Sequence, residues 1–199
     1  MSVKQDRYDV GVIVGRFQVP ELHVAHRALI EHVCQEHDKV LIFLGLSPLM
    51  VTRENPLDFE ARKQMILAAF PHVNVLYIKD VHSDEVWSRK LDEMVSDNVT
   101  PAQSVVLYGG RDSFINHYHG KYPTQELEQD VWVSGNEIRA EISKKSVKSS
   151  PDFRAGVVWA AYSQFPTAYP CVDVAIFGKG AFASGSLTAN SAQPSFDFQ

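Results

Sequence analysis

The chain has 199 residues, 45% of them hydrophobic and 22% charged, with a formal net charge of −5. That length and balance fit one domain with a sizeable core and room for a small appendage. The acidic excess argues against a general nucleic-acid binder, no apolar run is long enough to span a bilayer, and the opening MSVKQDR lacks the apolar segment of a signal peptide, so a cytoplasmic protein is expected.

Tyr8 to Val14 is an apolar run closed by glycine and reads as a buried parallel strand. Gly15-Arg16 then turns the chain into a helix, about Leu22 to Glu36. Its first turn carries His23 and His26, three residues apart and so on one side. Cys34 falls among the apolar positions of that helix and Cys171 in a later apolar run; both thiols are expected to be buried. Two cysteines make neither a disulfide framework nor a metal cluster. Lys39 to Leu46 is a second buried strand, Asp58 to Phe70 a helix, Val73 to Ile78 a third strand and Asp84 to Val95 an amphipathic helix. Ser104 to Tyr108 makes a fourth strand, stopped by Gly109-Gly110, and Asp130 to Val133 a fifth that leads into a helix at Asn136 to Ile142. Beyond Ser150 come a helical stretch, Pro151 to Phe165, and a strand-like run, Val172 to Phe177. From Gly178 the chain is rich in Gly, Ala and Ser and is expected to be a mobile tail.

Strands alternating with helices predict an α/β fold, an open doubly wound parallel sheet with right-handed crossovers. The expected division is a domain over 1–150, a C-terminal helix and short strand packed on it over 151–177, and a flexible tail over 178–199. Ligands of such sheets sit beyond the carboxyl ends of the strands, where the winding reverses. A strand, a glycine turn and a helix start bearing two imidazoles make an anion site, because unpaired backbone N–H groups and the positive end of the helix dipole point at the ligand. The expected anion is a nucleoside triphosphate. Gly15 would let a phosphate approach the backbone, with Arg16 beside it as a bidentate donor. Ser134-Gly135-Asn136-Glu137-Ile138-Arg139 begins a second helix aimed at the same polyphosphate. Plainer readings exist for several residues. Arg62 would either form ion pairs or face the triphosphate, Trp132 and Trp159 would pack in the core, His117 and His119 would be surface or structural, and Lys144, Lys145 and Lys148 would be a solvated face.

Five stretches carry a family resemblance: GRFQVPELHVAH from Gly15, NPLDFEAR from Asn55, GGRDSFINHYHGKYPTQEL from Gly109, SGNEIR from Ser134 and DFRAGVVWAAY from Asp152. In content and order they resemble the nicotinamide-mononucleotide adenylyltransferases of the HxGH nucleotidyltransferase superfamily, the type often fused to a Nudix hydrolase. The resemblance implies transfer of AMP from ATP to nicotinamide mononucleotide (NMN), giving NAD and pyrophosphate by direct in-line attack. It implies His23, His26 and Arg139 as catalytic donors. ATP would be bound by Gly15, Arg16, Phe17, Gln18, Arg53, Gly109, Arg111, Ser134, Gly135 and Asn136. NMN would be bound by Asp80 and Trp87, the indole stacking on the cationic nicotinamide ring. Mg²⁺ would ride on the ATP phosphates rather than in a carboxylate cage. ATP and NMN are then the expected partners, with no nucleic acid or membrane, and the relatives' habit of assembly implies a homo-oligomer.

Three departures stand out. Ala25 replaces the family's glycine between the histidines, and Asn136 replaces a threonine, keeping a side chain that caps a helix start. VDVAIF resembles the opening of a Nudix domain, but no glutamate-rich box follows, so that activity is not expected here. The alternatives are another small phosphate acceptor (nicotinate mononucleotide or phosphopantetheine), a cytidylyltransferase, or a non-catalytic nucleotide sensor.

Overall fold

The computed structural model describes residues 8–49, 51–110, 113–128, 133–144, 150–163, 173–178 and 181–186. The apolar runs form the strands β1 (Val10–Gly15), β2 (Lys39–Leu46), β3 (Asn74–Lys79) and β4 (Val105–Gly109), joined at the edge by the short β5 (Thr124–Glu126). Their order is β3-β2-β1-β4-β5 and every neighbouring pair is parallel. The sheet is thus wound outward in both directions from β1, and the reversal lies between β1 and β4, as expected for a doubly wound sheet.

Both faces of β1 are covered, which explains its uninterrupted apolar sequence. Ile13 packs with Leu29, Ile30 and Val33 of α1 (Val24–Glu36) and Ile66 of α2 (Phe59–Ala69). Val10, Val12 and Val14 pack on the other face with Leu91 and Val95 of α3 (Asp84–Asp97). The helix starts are capped by side chains that accept backbone N–H groups. Asp58 accepts from Ala61 at 2.7 Å and Ser83 from Val86 at 3.2 Å. Asp84 and Glu85 in the first turn of α3 also suit the positive end of its dipole.

Several expectations are corrected. The edge strand is Thr124–Glu126, paired with β4 from Leu107↔Thr124 to Gly109↔Glu126. Of the fifth strand expected at 130–133, only Val133 is among the described residues, and it is not in a strand. Cys34 is exposed, because Leu29, Ile30 and Val33 take the buried stripe of α1 and the next position turns outward. Trp159 is exposed as well. Phe153, Val157, Val158, Trp159 and Tyr162 lie around α5 (Pro151–Ser163) rather than along one stripe, and all are exposed. Trp132, Lys145, Lys148 and Cys171 lie outside the described residues.

The chain divides into two compact units, Met1–Ser163 and Gln164–Gln199. The second holds β6 (Asp173–Gly178) and β7 (Ala181–Ser186), paired antiparallel with Phe177 opposite Phe182. β7 falls within the stretch expected to be a tail. Only Lys179 and Gly180 separate the strands in sequence, a spacing that favours a hairpin. Among the described residues no helix is long and apolar enough to cross a membrane.

Candidate active site

β1 delivers the chain to the winding reversal, and the residues after it build a cleft of about 580 Å³. Gly15, Arg16, Phe17, His23, His26, Asp80, Trp87 and Gly135 line it together, so eight of the expected site residues share one space. Phe17 is the pivot. It has a positive φ of 48°, rare for a bulky residue, and its ring is buried. The ring lies back over Gly15, where a β-carbon would come within 2.8 Å of it. This contact, besides any approach of phosphate, requires glycine at position 15.

The two histidines are stacked, with ring centroids 3.6 Å apart and planes 21° from parallel, and Phe17 tilts against His26 at 4.6 Å. His23 sits at the N-cap rather than in the first turn, and its Nδ1 accepts the His26 backbone N–H at 3.3 Å. A neutral His23 therefore carries its proton on Nε2. Burial lowers the His23 imidazole below its ordinary value, and burial with a smaller push from His23 lowers His26 to about 3. Near neutral pH the pair is uncharged: two N–H donors, not two cations. His26 Nδ1 and Ser113 Oγ, both on residues lining the cleft, are buried without a protein partner. Ala25 is buried inside α1, so a β-carbon is accommodated where the resembled family has glycine.

Arg16 and Asp80 were expected to serve different substrates, but they bind each other. Arg16 Nη2 donates to Asp80 Oδ2 at 2.8 Å and Nη1 to Asn55 Oδ1 at 3.0 Å. The Gln18 side chain faces away from the cleft. Its amide donates to the Leu57 carbonyl at 3.1 Å and accepts the Leu57 N–H at 2.9 Å, fastening the loop after β2. Gly109 does not line the cleft, although Gly110 does. A β-carbon at Gly109 would collide with Ser113 and Ile115, so this glycine serves the packing of the following loop. Arg111 lies outside the described residues.

Gln18, Arg53, Asn136 and Arg139 line a second cleft of about 740 Å³. The two clefts meet at the same two places in the chain. Phe17 lines the first and Gln18 the second, and Gly135 and Asn136 divide in the same way. Arg139 lines only the second, its Nη1 donating to the Gln18 carbonyl at 2.7 Å and its Nη2 to Asn136 Oδ1. The cap of α4 (Gly135–Lys144) is Ser134, whose oxygen atoms accept the N–H groups of Glu137 and Ile138. Asn136, expected as the cap, lies within the first turn and holds Arg139 instead.

Sequence reasoning missed one side of the first cleft. Asp84, Phe114 and His117 line it, and His117 Nδ1 lies 2.9 Å from Asp84 Oδ2. The readable signal was Asp84 three residues before Trp87, which puts both on one side of α3. The sequence carries no comparable mark for His117.

No protein-family profile matches the chain. It is 29% identical over 150 residues, 73% of each chain, to the nicotinamide/nicotinic acid mononucleotide adenylyltransferase of Acinetobacter baylyi. It is 25% identical over 92 residues to the nicotinamide-nucleotide adenylyltransferase of Thermococcus sibiricus, covering 43% of this chain and 48% of that one. Among solved structures it resembles the bifunctional NMN adenylyltransferase/ADP ribose pyrophosphatase of Francisella tularensis, with TM-score 0.60 and 25% identity over 67% of this chain and 42% of that one. The chain thus spans less than half the length of the last two. Taken with the five-stranded parallel fold, these likenesses support assignment of the chain to the nucleotidyltransferases.

Proposed function

We propose that this chain transfers AMP from ATP to NMN, releasing pyrophosphate and forming NAD. The observation that carries the reading is the cleft at the winding reversal. It is lined by uncharged imidazoles, by the Arg16 guanidinium, and by Trp87 with its ring 5.8 Å from Phe114. The donors suit phosphates and the indole suits a flat aromatic ring. The names of the Acinetobacter relative, a nicotinamide/nicotinic acid mononucleotide adenylyltransferase, and of the Thermococcus relative, a nicotinamide-nucleotide adenylyltransferase, support adenylyl transfer to a pyridine mononucleotide.

The chemistry needs no general base. The 5′-phosphate of NMN is already ionised near neutral pH. One of its oxygens forms the bond to the α-phosphorus of ATP as the bond from that phosphorus to the α–β bridging oxygen breaks, and pyrophosphate leaves with the electron pair. The protein aligns two polyanions and supplies donors where charge accumulates. His23 offers its Nε2–H and His26 a second imidazole N–H. Arg16 turns from Asp80 and Asn55 toward phosphate, and Arg139 moves from the Gln18 carbonyl onto the departing pyrophosphate. Arg53, Ser134, Gly135 and Asn136 flank that path. ATP enters as its Mg²⁺ complex, so the ion belongs to the substrate.

Pyrophosphate release, measured with ATP and NMN, nicotinate mononucleotide, phosphopantetheine or glycerol phosphate in turn, tests the assignment. Turnover is expected with NMN and none with the last two. Arg139→Ala should lower kcat about a hundredfold or more while leaving the NMN KM within a few-fold. No release with NMN, or unchanged turnover in the variant, would overturn it.

A further inference from the structure

One wall of the first cleft is built as two rungs. Asp84 and Trp87 stand three residues apart on the first turn of α3. Phe114 and His117 stand three apart on a single 3-10 turn, where that spacing places side chains in line. The apolar rung is Trp87 against Phe114, with ring centroids 5.8 Å apart. The polar rung is His117 Nδ1 to Asp84 Oδ2 at 2.9 Å. A pyridine ring stacked on Trp87 therefore has, one step along the same wall, a carboxylate and an imidazole already bound to each other.

We propose that the Asp84–His117 pair reads the substituent on the pyridine ring, admitting the carboxamide of NMN and rejecting the carboxylate of its nicotinate analogue. This rests on the reading of the cleft as a pyridine-nucleotide site. A carboxylate has no proton to give, so His117 Nδ1–H donates to Asp84 Oδ2 and the second carboxylate oxygen is left as a negatively charged acceptor. A carboxamide NH₂ donates to such an acceptor. The nicotinate carboxylate has no proton to give and meets a like charge. Both side chains are about half exposed or more, 69% for His117 and 48% for Asp84, so water screens the repulsion and the discrimination is moderate.

The experiment measures kcat/KM of the full chain for NMN and for nicotinate mononucleotide, at saturating ATP, in the wild type, Asp84→Asn and His117→Ala. The wild type should prefer NMN by about tenfold or more. Asp84→Asn keeps the size of the side chain but supplies a neutral NH₂ donor. It should cut that ratio at least about tenfold, mainly by lowering the KM for the nicotinate substrate. His117→Ala, which frees the carboxylate without removing it, should keep the preference for NMN. A wild-type preference for nicotinate mononucleotide, or the same ratio in Asp84→Asn, overturns the proposal. If neither pyridine nucleotide supports pyrophosphate release, it is instead the adenylyltransferase reading that fails.

Discussion

Arg62 is among the largest of the fully buried side chains, and it carries a charge. An ion pair, one of the two roles open to it, is not what holds it. Its Nε donates to the Asp58 carbonyl at 2.9 Å, and Nη1 donates to the carbonyls of Arg16 at 2.8 Å and Gly45 at 3.0 Å. Burial lowers its pKa and nearby Arg16 adds to this, while Asp58 and Asp80 oppose it. One guanidinium thereby ties together the chain leaving β1, the end of β2 and the cap of α2, which are the supports of the cleft. Such a group is costly to bury and more costly to delete, since three carbonyls would lose their donor. Arg62→Ala should destabilise the fold by about 3–5 kcal/mol. Arg62→Lys, a point donor unable to span the three oxygens, should lose about 1–3 kcal/mol. Urea unfolding of the two variants checks this, and a wild-type midpoint for Arg62→Ala would show that the backbone keeps its course unaided.

The start of α1 joins two duties in one residue. His23 caps the helix through Nδ1 and presents its other edge to the cleft. Asn is among the strongest N-caps but has no imidazole N–H. His23→Asn should therefore melt at or above the wild-type temperature while its turnover falls about a hundredfold. If turnover survives with the cap, the imidazole is only structural. Such elements also show what could be read from sequence. β2 runs from Lys39 to Leu46 as expected, because six consecutive residues buried on both faces, Val40 to Gly45, leave a continuous apolar run. α2 and α3 lie within two residues of their expected ends, since their caps and apolar spacing agree. β5 was illegible: Thr-Gln-Glu is short, polar and exposed, and only backbone pairing to β4 makes it a strand. In the site, the histidines were legible because their partners lie three residues apart. Arg16 with Asp80 and Asp84 with His117 were not, because each pair is made by the sheet across 64 and 33 residues of chain.

Across the whole molecule, the cleft lies where the two core layers meet at the carboxyl ends of the strands. Phe17, Leu22 and Leu29 continue the layer of α1 and α2, and Trp87 and Phe114 continue that of α3. The imidazoles are therefore partly desolvated by the core itself, and their neutrality becomes a property of folding. His26 titrates at about 3 in the folded chain, against an ordinary 6.5 in the unfolded one. Between those values the unfolded chain holds a proton that the folded chain refuses. The stability associated with neutral His26 is complete above 6.5 and drains away as pH falls toward 3, at up to about 1.4 kcal/mol per pH unit. His23, lowered in the same direction, adds to the slope. Exposed carboxylates contribute to acid unfolding too, so the wild type alone is not diagnostic; the difference from a variant without the imidazole is. His26→Gln, of similar length and unable to protonate, should lose stability at neutral pH with its packing on Phe17. It should then recover relative to the wild type as pH is lowered from 7 to 4, measured by urea unfolding at each pH. Parallel stability curves for the two proteins would mean that His26 gains its proton as readily in the folded chain as in the unfolded one, and that the histidine pair enters catalysis as cations.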